Sequence, residues 1–173
     1  KALLDKAFRT REHSSLPMAD LDSLLQRTSR TFAVAIPMLD EPLRLQVTVA
    51  YLLFRLADTF EDATCWPQAQ RLEALRVFCE LVEAWRDTPG ATGLQARSKQ
   101  WAERWVAAKP CTHEGYLELL GVLDEVLAVY GQFSPEARSI VAKHTLRTAE
   151  GMAGFVRDGR ADGGFELTSV KAL

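Results

Sequence analysis

LQVTVAYLLFRLADTFEDA, residues 45–63, reads as one helix that is apolar on almost every side except along a narrow stripe. At ~100° per residue, Tyr51, Arg55, Asp58 and Asp62 fall within roughly a 60° arc. Val49, Leu53, Leu56, Ala57 and Phe60 take the opposite side, with Leu52 and Phe54 on the flanks. A helix hydrophobic on most faces belongs inside a bundle. Carboxylates buried there need a cationic partner. One arginine cannot neutralise Asp58, Asp62 and the adjoining Glu61, so a metal ion is the simplest inference. The same spacing also serves a solvated face or an ordinary ion pair between Arg55 and Asp58. On spacing and apolar surroundings alone the two readings stay balanced.

Working outward, 173 residues with 47% hydrophobic content supply one good core. The 23 acidic and 21 basic residues nearly cancel, and no run of like charge stands out. That balance excludes a basic nucleic-acid footprint. Cys65, Cys79 and Cys111 are odd in number and lack CxxC spacing, as expected of reduced thiols in a cytosolic protein. His13, His113 and His144 have no helical metal-pair spacing and receive no role. No apolar run reaches ~18 residues and no signal-peptide layout is present, so a membrane span is not expected. The expected location is the cytoplasm. Contact with a membrane surface stays open, as does oligomeric state.

Around the central helix the chain reads as helices and turns. Residues 1–19 form a lead-in, with a short helix or irregular segment over 1–11 and a break at 13–17. Asp20 caps a short helix through Gln26. TSRTFAVAIPML, from Thr28, predicts a compact apolar helix ending near Pro37. Asp40 then caps the central helix, with Pro42 in its first turn. Further helices are expected over 68–87, 94–107 and, capped by Thr112, 113–130. Trp101 and Trp105 read as packing. Ser134 followed by Pro135 starts a helix to about Val156. Its Gly151 and Gly154 suggest close helix packing or room for a ligand. Residues 158–164 form a polar turn, and Thr168 opens another helix. A helix opening so near Leu173 suggests an incomplete chain. No linker or repeat divides residues 20–173.

Thr28-Ser29-Arg30-Thr31-Phe32, followed by Tyr51-Leu-Leu-Phe-Arg55-Leu-Ala-Asp58-Thr-Phe-Glu61-Asp62, resembles the squalene/phytoene synthase family. Gly151-Met-Ala-Gly-Phe155 continues the match, and the DTFED form is closest to squalene-type members. The resemblance implies an all-α bundle of the terpenoid-synthase type, with residues 20–173 as the N-terminal part of one domain. It also implies an enzyme joining two prenyl diphosphates head to head, most simply farnesyl diphosphate, to presqualene diphosphate or squalene. In the family an allylic cation forms with metal assistance, and a cyclopropyl diphosphate then rearranges.

Position by position, the resemblance puts Asp58 and Asp62 in the first aspartate-rich motif, which holds Mg²⁺ on the diphosphate. Mg²⁺ is a hard ion that takes carboxylate and phosphate oxygens. Glu61 matches a third acidic position, but its nominal angle makes it the weaker ligand. Arg55 and Arg30 match arginines near the diphosphate, which in squalene-type members also serve a nicotinamide cofactor; NADPH is expected only if squalene is the product. A guanidinium fork suits phosphate oxygens in either role. Ser29 would donate to the same group, Tyr51 would line the catalytic cavity beside Arg55, and Phe32 and Ile36 would wall the isoprenoid tails. The plainer alternatives are that Ser29 caps a helix and that Phe32 and Ile36 are core.

Two departures stand out. The family's second aspartate-rich motif is absent from these residues, and Gly154 stands where squalene-type members often carry aspartate. The expectation is therefore a partial sequence or a degenerate relative. Phytoene or dehydrosqualene synthesis is the alternative within the family. A non-catalytic helical protein binding a prenyl lipid or a partner is the alternative outside enzymes.

Overall fold

The structure, a computed structural model, describes residues 18–159. The expected lead-in helix over 1–11, the break at 13–17, the polar turn beyond Gly159 and the helix opening at Thr168 lie outside the described residues. Among the described residues there are eight α-helices, one 3₁₀ turn and no strand. They are α1 (Met18–Thr28), α2 (Phe32–Ala35), the 3₁₀ turn (Ile36–Met38), α3 (Leu43–Glu61), α4 (Gln68–Asp87), α5 (Leu94–Ala108), α6 (Glu114–Gly121), α7 (Leu123–Gly131) and α8 (Pro135–Asp158).

The quoted stretch is α3, and it is the hub: α1, α4, α6, α7, α8 and the 3₁₀ turn all pack on it. Leu52, Leu53, Leu56 and Phe60 are fully buried. The Phe60 ring lies 4.6 Å from that of Trp105, 6.1 Å from Phe78 and 6.4 Å from Trp66. Two buried threonines avoid unpaired hydroxyls by donating backward, Thr48 to the Arg44 carbonyl and Thr59 to the Arg55 carbonyl, each at 2.8 Å. Trp66 leaves the end of α3 and donates its indole N–H to the Ala108 carbonyl at 2.9 Å, tying α3 to the end of α5. The pair Trp101 and Trp105 packs ring to ring at 5.4 Å, as expected.

Several local expectations need correction. The predicted apolar helix from Thr28 is a four-residue helix followed by a 3₁₀ turn, because the Ser29 hydroxyl accepts the Phe32 N–H at 3.0 Å and separates this segment from α1. It is not compact core either: Ile36 is buried, while Val34 and Met38 are 71% and 82% exposed. Asp40 does not cap α3 with its side chain. Its carbonyl accepts the Arg44 N–H at 3.0 Å, and the Glu41 carboxylate accepts the Leu45 N–H at 3.3 Å. The expected helix over 113–130 is broken at Val122, whose φ of −112° and ψ of 18° lie off helical values. Gly121, a poor helix former, immediately precedes the break. The bend lets α6 reach α1 and α7 reach α4, while both pack on α3 and α5. Thr112 is not the cap; the His113 carbonyl accepts the Tyr116 and Leu117 N–H groups at 3.1 Å. Ser134 does cap α8, accepting the Ala137 N–H at 3.2 Å. A Cβ built on Gly151 or Gly154 would meet no atom within 4 Å, so neither glycine serves a close helix crossing among the described residues.

Candidate functional site

The polar stripe of α3 runs down the face turned toward α1 and α6. At its C-terminal end Asp58, Glu61 and Asp62 bring one carboxylate oxygen each to within 4.8 Å of one another. Glu61, expected to be the weaker member, joins the pair because its longer side chain bridges the offset in angle. The last turn of a helix carries partial negative charge, so three carboxylates there repel both each other and the helix end. Burial pushes the Asp58 carboxyl above its ordinary value, and Asp62 adds to the rise while Arg55 opposes it. Glu61 is raised in the same way, by burial first and then by the neighbouring Asp62 carboxyl, with Arg71 opposing. Arg71 also donates to the Glu61 carbonyl, closing the end of the helix. The cluster is thus short of positive charge and offers only hard oxygen donors, a set that fits a small divalent cation.

Arg55 is the link from this cluster to the rest of the site. One terminal nitrogen donates to Asp58 and the other to the Tyr116 hydroxyl. Its guanidinium carbon lies 4.3 Å from the centre of the Tyr116 ring. Burial works against the Arg55 charge, but the Tyr116 hydrogen bond and Asp58 outweigh it and hold the arginine protonated. Tyr51, one turn earlier, donates its hydroxyl to the Thr28 carbonyl at 3.1 Å, and its ring meets Phe32 at 4.9 Å. That hydroxyl therefore faces the end of α1 and not the carboxylates.

Two cavities meet along this face. The polar one, about 670 Å³, is lined by Ser29, Arg30, Arg55, His113 and Tyr116 among others. Arg30 is exposed and forms no ion pair among the described residues, and the Ser29 hydroxyl keeps its proton for donation while accepting from Phe32. The apolar one, about 820 Å³, lies between α3 and α8 and is lined by Phe32, Ile36, Val47, Phe54, Ile140 and Val141 among others. Phe32, Tyr51 and Phe54 line both, so a charged chamber opens directly beside an oily one. Asp58, Glu61 and Asp62 line neither and reach the polar chamber through Arg55. Of the residues expected at the site, Ser29, Arg30, Phe32, Ile36, Tyr51 and Arg55 line one or both cavities, while Asp58, Glu61 and Asp62 cluster apart from them. The structure adds Tyr116, His113 and the α8 residues, which no spacing pattern connects to α3.

Among the described residues no helix is long and apolar enough to cross a membrane. A family model described as squalene/phytoene synthase matches residues 25–168. The Botryococcus squalene synthase of Botryococcus braunii is 28% identical over 155 residues, 89% of this chain and 29% of that protein. The squalene synthase of Schizosaccharomyces pombe is 28% identical over 148 residues, 86% of this chain and 28% of that protein. A lycopaoctaene synthase from Botryococcus braunii is 28% identical over 134 residues, 78% of this chain and 26% of that protein. The chain thus spans less than a third of the length of each of these relatives. No solved structure gives a significant match.

Proposed function

Because the chain belongs to the squalene/phytoene synthase family, we propose that the protein condenses two prenyl diphosphates head to head, with farnesyl diphosphate as substrate and presqualene diphosphate or squalene as product. The observation that carries this reading is the arginine-lined chamber sharing three aromatic walls with an apolar cavity. A prenyl diphosphate has the same two-part character, a multiply charged head on a hydrocarbon tail. Arg30 and Arg55 suit the diphosphate oxygens, Arg55 with a charge that its neighbours keep in place. Phe32 and Ile36 suit the isoprenoid chain, with Phe54 and Ile140 extending the same apolar surface. Asp58, Asp62 and Glu61 would hold Mg²⁺, which when bound supplies Lewis-acid assistance to the loss of diphosphate. Tyr51 lines the junction between the two chambers, beside the region where the reactive carbon of a bound chain would lie. An allylic carbocation there needs a wall free of water, and the aromatic and aliphatic lining supports that requirement. Reduction by NADPH belongs to the reading only for squalene, with Arg30 and Arg55 as the phosphate contacts of the cofactor.

The test is a product analysis of the full-length protein with farnesyl diphosphate and Mg²⁺, with and without NADPH, and with geranylgeranyl diphosphate in parallel. A thirty-carbon product formed only with Mg²⁺ is expected. A product from geranylgeranyl diphosphate alone would move the assignment to phytoene-type synthesis. No coupled product from either substrate in a folded sample would overturn the transferase reading in favour of a non-catalytic prenyl-lipid binder.

A further inference from the structure

We propose that Tyr116 is a positioning residue that decides how Arg55 divides its donors between Asp58 and an incoming diphosphate; this rests on the diphosphate reading above. A guanidinium beside a carboxylate ordinarily closes over it with two parallel N–H bonds. Arg55 does not. One terminal nitrogen meets a single Asp58 oxygen, the other is held by the Tyr116 hydroxyl, and the buried Nε has no partner. The ring of Tyr116 also lies against the guanidinium, 4.3 Å from centroid to carbon, which favours the cation in that place. With the fork held open, Asp58 keeps its second oxygen for the carboxylate cluster. Arg55 in turn stays on the wall of the chamber that Arg30 and Ser29 also line.

Tyr116 is itself held in place. Position 115 is a glycine, and a Cβ there would lie 2.9 Å from the Arg27 carbonyl oxygen, so only glycine lets α6 come this close to the end of α1. The His113 ring stacks on Tyr116 at 4.0 Å, with 22° between the planes. The phenol is therefore delivered to Arg55 by a helix that carries none of the acidic or basic residues of the stripe. Removing its hydroxyl frees the second arm of Arg55 to close on Asp58, which withdraws an oxygen from the cluster and a donor from the diphosphate together.

The experiment uses the full-length protein and its Tyr116→Phe and Tyr116→Leu variants. It measures binding of inorganic pyrophosphate in the presence of Mg²⁺ by titration calorimetry, alongside the Mg²⁺ dependence of turnover. Tyr116→Phe is expected to weaken Mg²⁺-pyrophosphate binding about tenfold, the effect of one charge-assisted hydrogen bond, with circular dichroism and Tm unchanged. Tyr116→Leu, which also loses the ring face, is expected to weaken it further. Binding by Tyr116→Phe equal to that of the unaltered protein would overturn the proposal, and so would a Phe variant that fails to fold, since Tyr116 would then be a packing residue. An unaltered protein that does not bind Mg²⁺-pyrophosphate would overturn the diphosphate reading itself, and this proposal with it.

Discussion

Asp58 and Glu61 are held above their ordinary carboxyl values by burial first, with the neighbouring Asp62 adding to the rise at both, and this has a sign that can be measured. A carboxyl whose folded value is raised binds more protons in the folded chain than in the unfolded one. Its contribution is therefore favourable at low pH and is lost as pH rises from the unfolded value, 3.8 for Asp58 and 4.5 for Glu61, through the raised folded value. Denaturant unfolding followed over that range should show stability falling as pH increases. Glu61→Gln should flatten the fall and leave the protein more stable at neutral pH, while reducing the extra stability that Mg²⁺ confers there. An unchanged slope would mean that Glu61 is not part of the crowded cluster. The pairing of Arg55 with Asp58 is readable from sequence because both stand on one helix, three residues apart. Glu61 ranks lower by angle, since an ideal-helix projection tracks Cα directions and not the reach of a long side chain. Tyr116 is invisible to such a projection, being brought to Arg55 by tertiary packing across 61 positions.

Within α3 the two sides of the helix have separate energetic roles. Leu53 is fully buried, so Leu53→Ala should cost about 2–5 kcal/mol through lost transfer energy and the cavity left behind. Asp62 is exposed, and Asp62→Ala should leave unfolding nearly unchanged while removing Mg²⁺ dependence from the full-length protein. Equilibrium denaturation of the two variants side by side checks the contrast, and equal losses would show that the faces are not distinct. Long elements with strong periodicity are the legible ones: α4 has the bounds expected from its apolar spacing, and the Ser134-Pro135 start of α8 is visible as a cap. The division of α6 from α7 is not, because leucines and valines continue through Val122 and only the competing demands of two packing surfaces bend the chain there. The segment after Thr28 misleads for a related reason. Its residues are apolar, yet only Ile36 is buried, while Phe32 borders the cavity and Val34 and Met38 are exposed.

At the scale of the molecule, the apolar cavity is made by helices almost a hundred residues apart in sequence, with α3 on one wall and α8 on the other. Ala50 lines it on α3 and Ile140 on α8. Ala50→Phe should narrow it and lower kcat/KM for farnesyl diphosphate about tenfold relative to a shorter geranyl chain, as measured with both substrates in competition. Equal losses for the two chains would indicate that the tail does not lie there. The all-α class was legible because nearly every segment has a helical period; the cavity was not, because its shape depends on how the helices cross. The two-sided construction of α3 also bears on which changes of length the gene tolerates. A substitution alters one face at a time, but deleting a single codon between Arg55 and Asp58 would turn everything beyond it by about 100° and draw it back about 1.5 Å. The acidic turn would then rotate away from Arg55 as Phe60 left its aromatic neighbours, so one frame-preserving deletion would damage chemistry and folding at once. The segment joining α4 to α5, residues 88–93, carries none of the site residues, and insertions there would be the ones to survive.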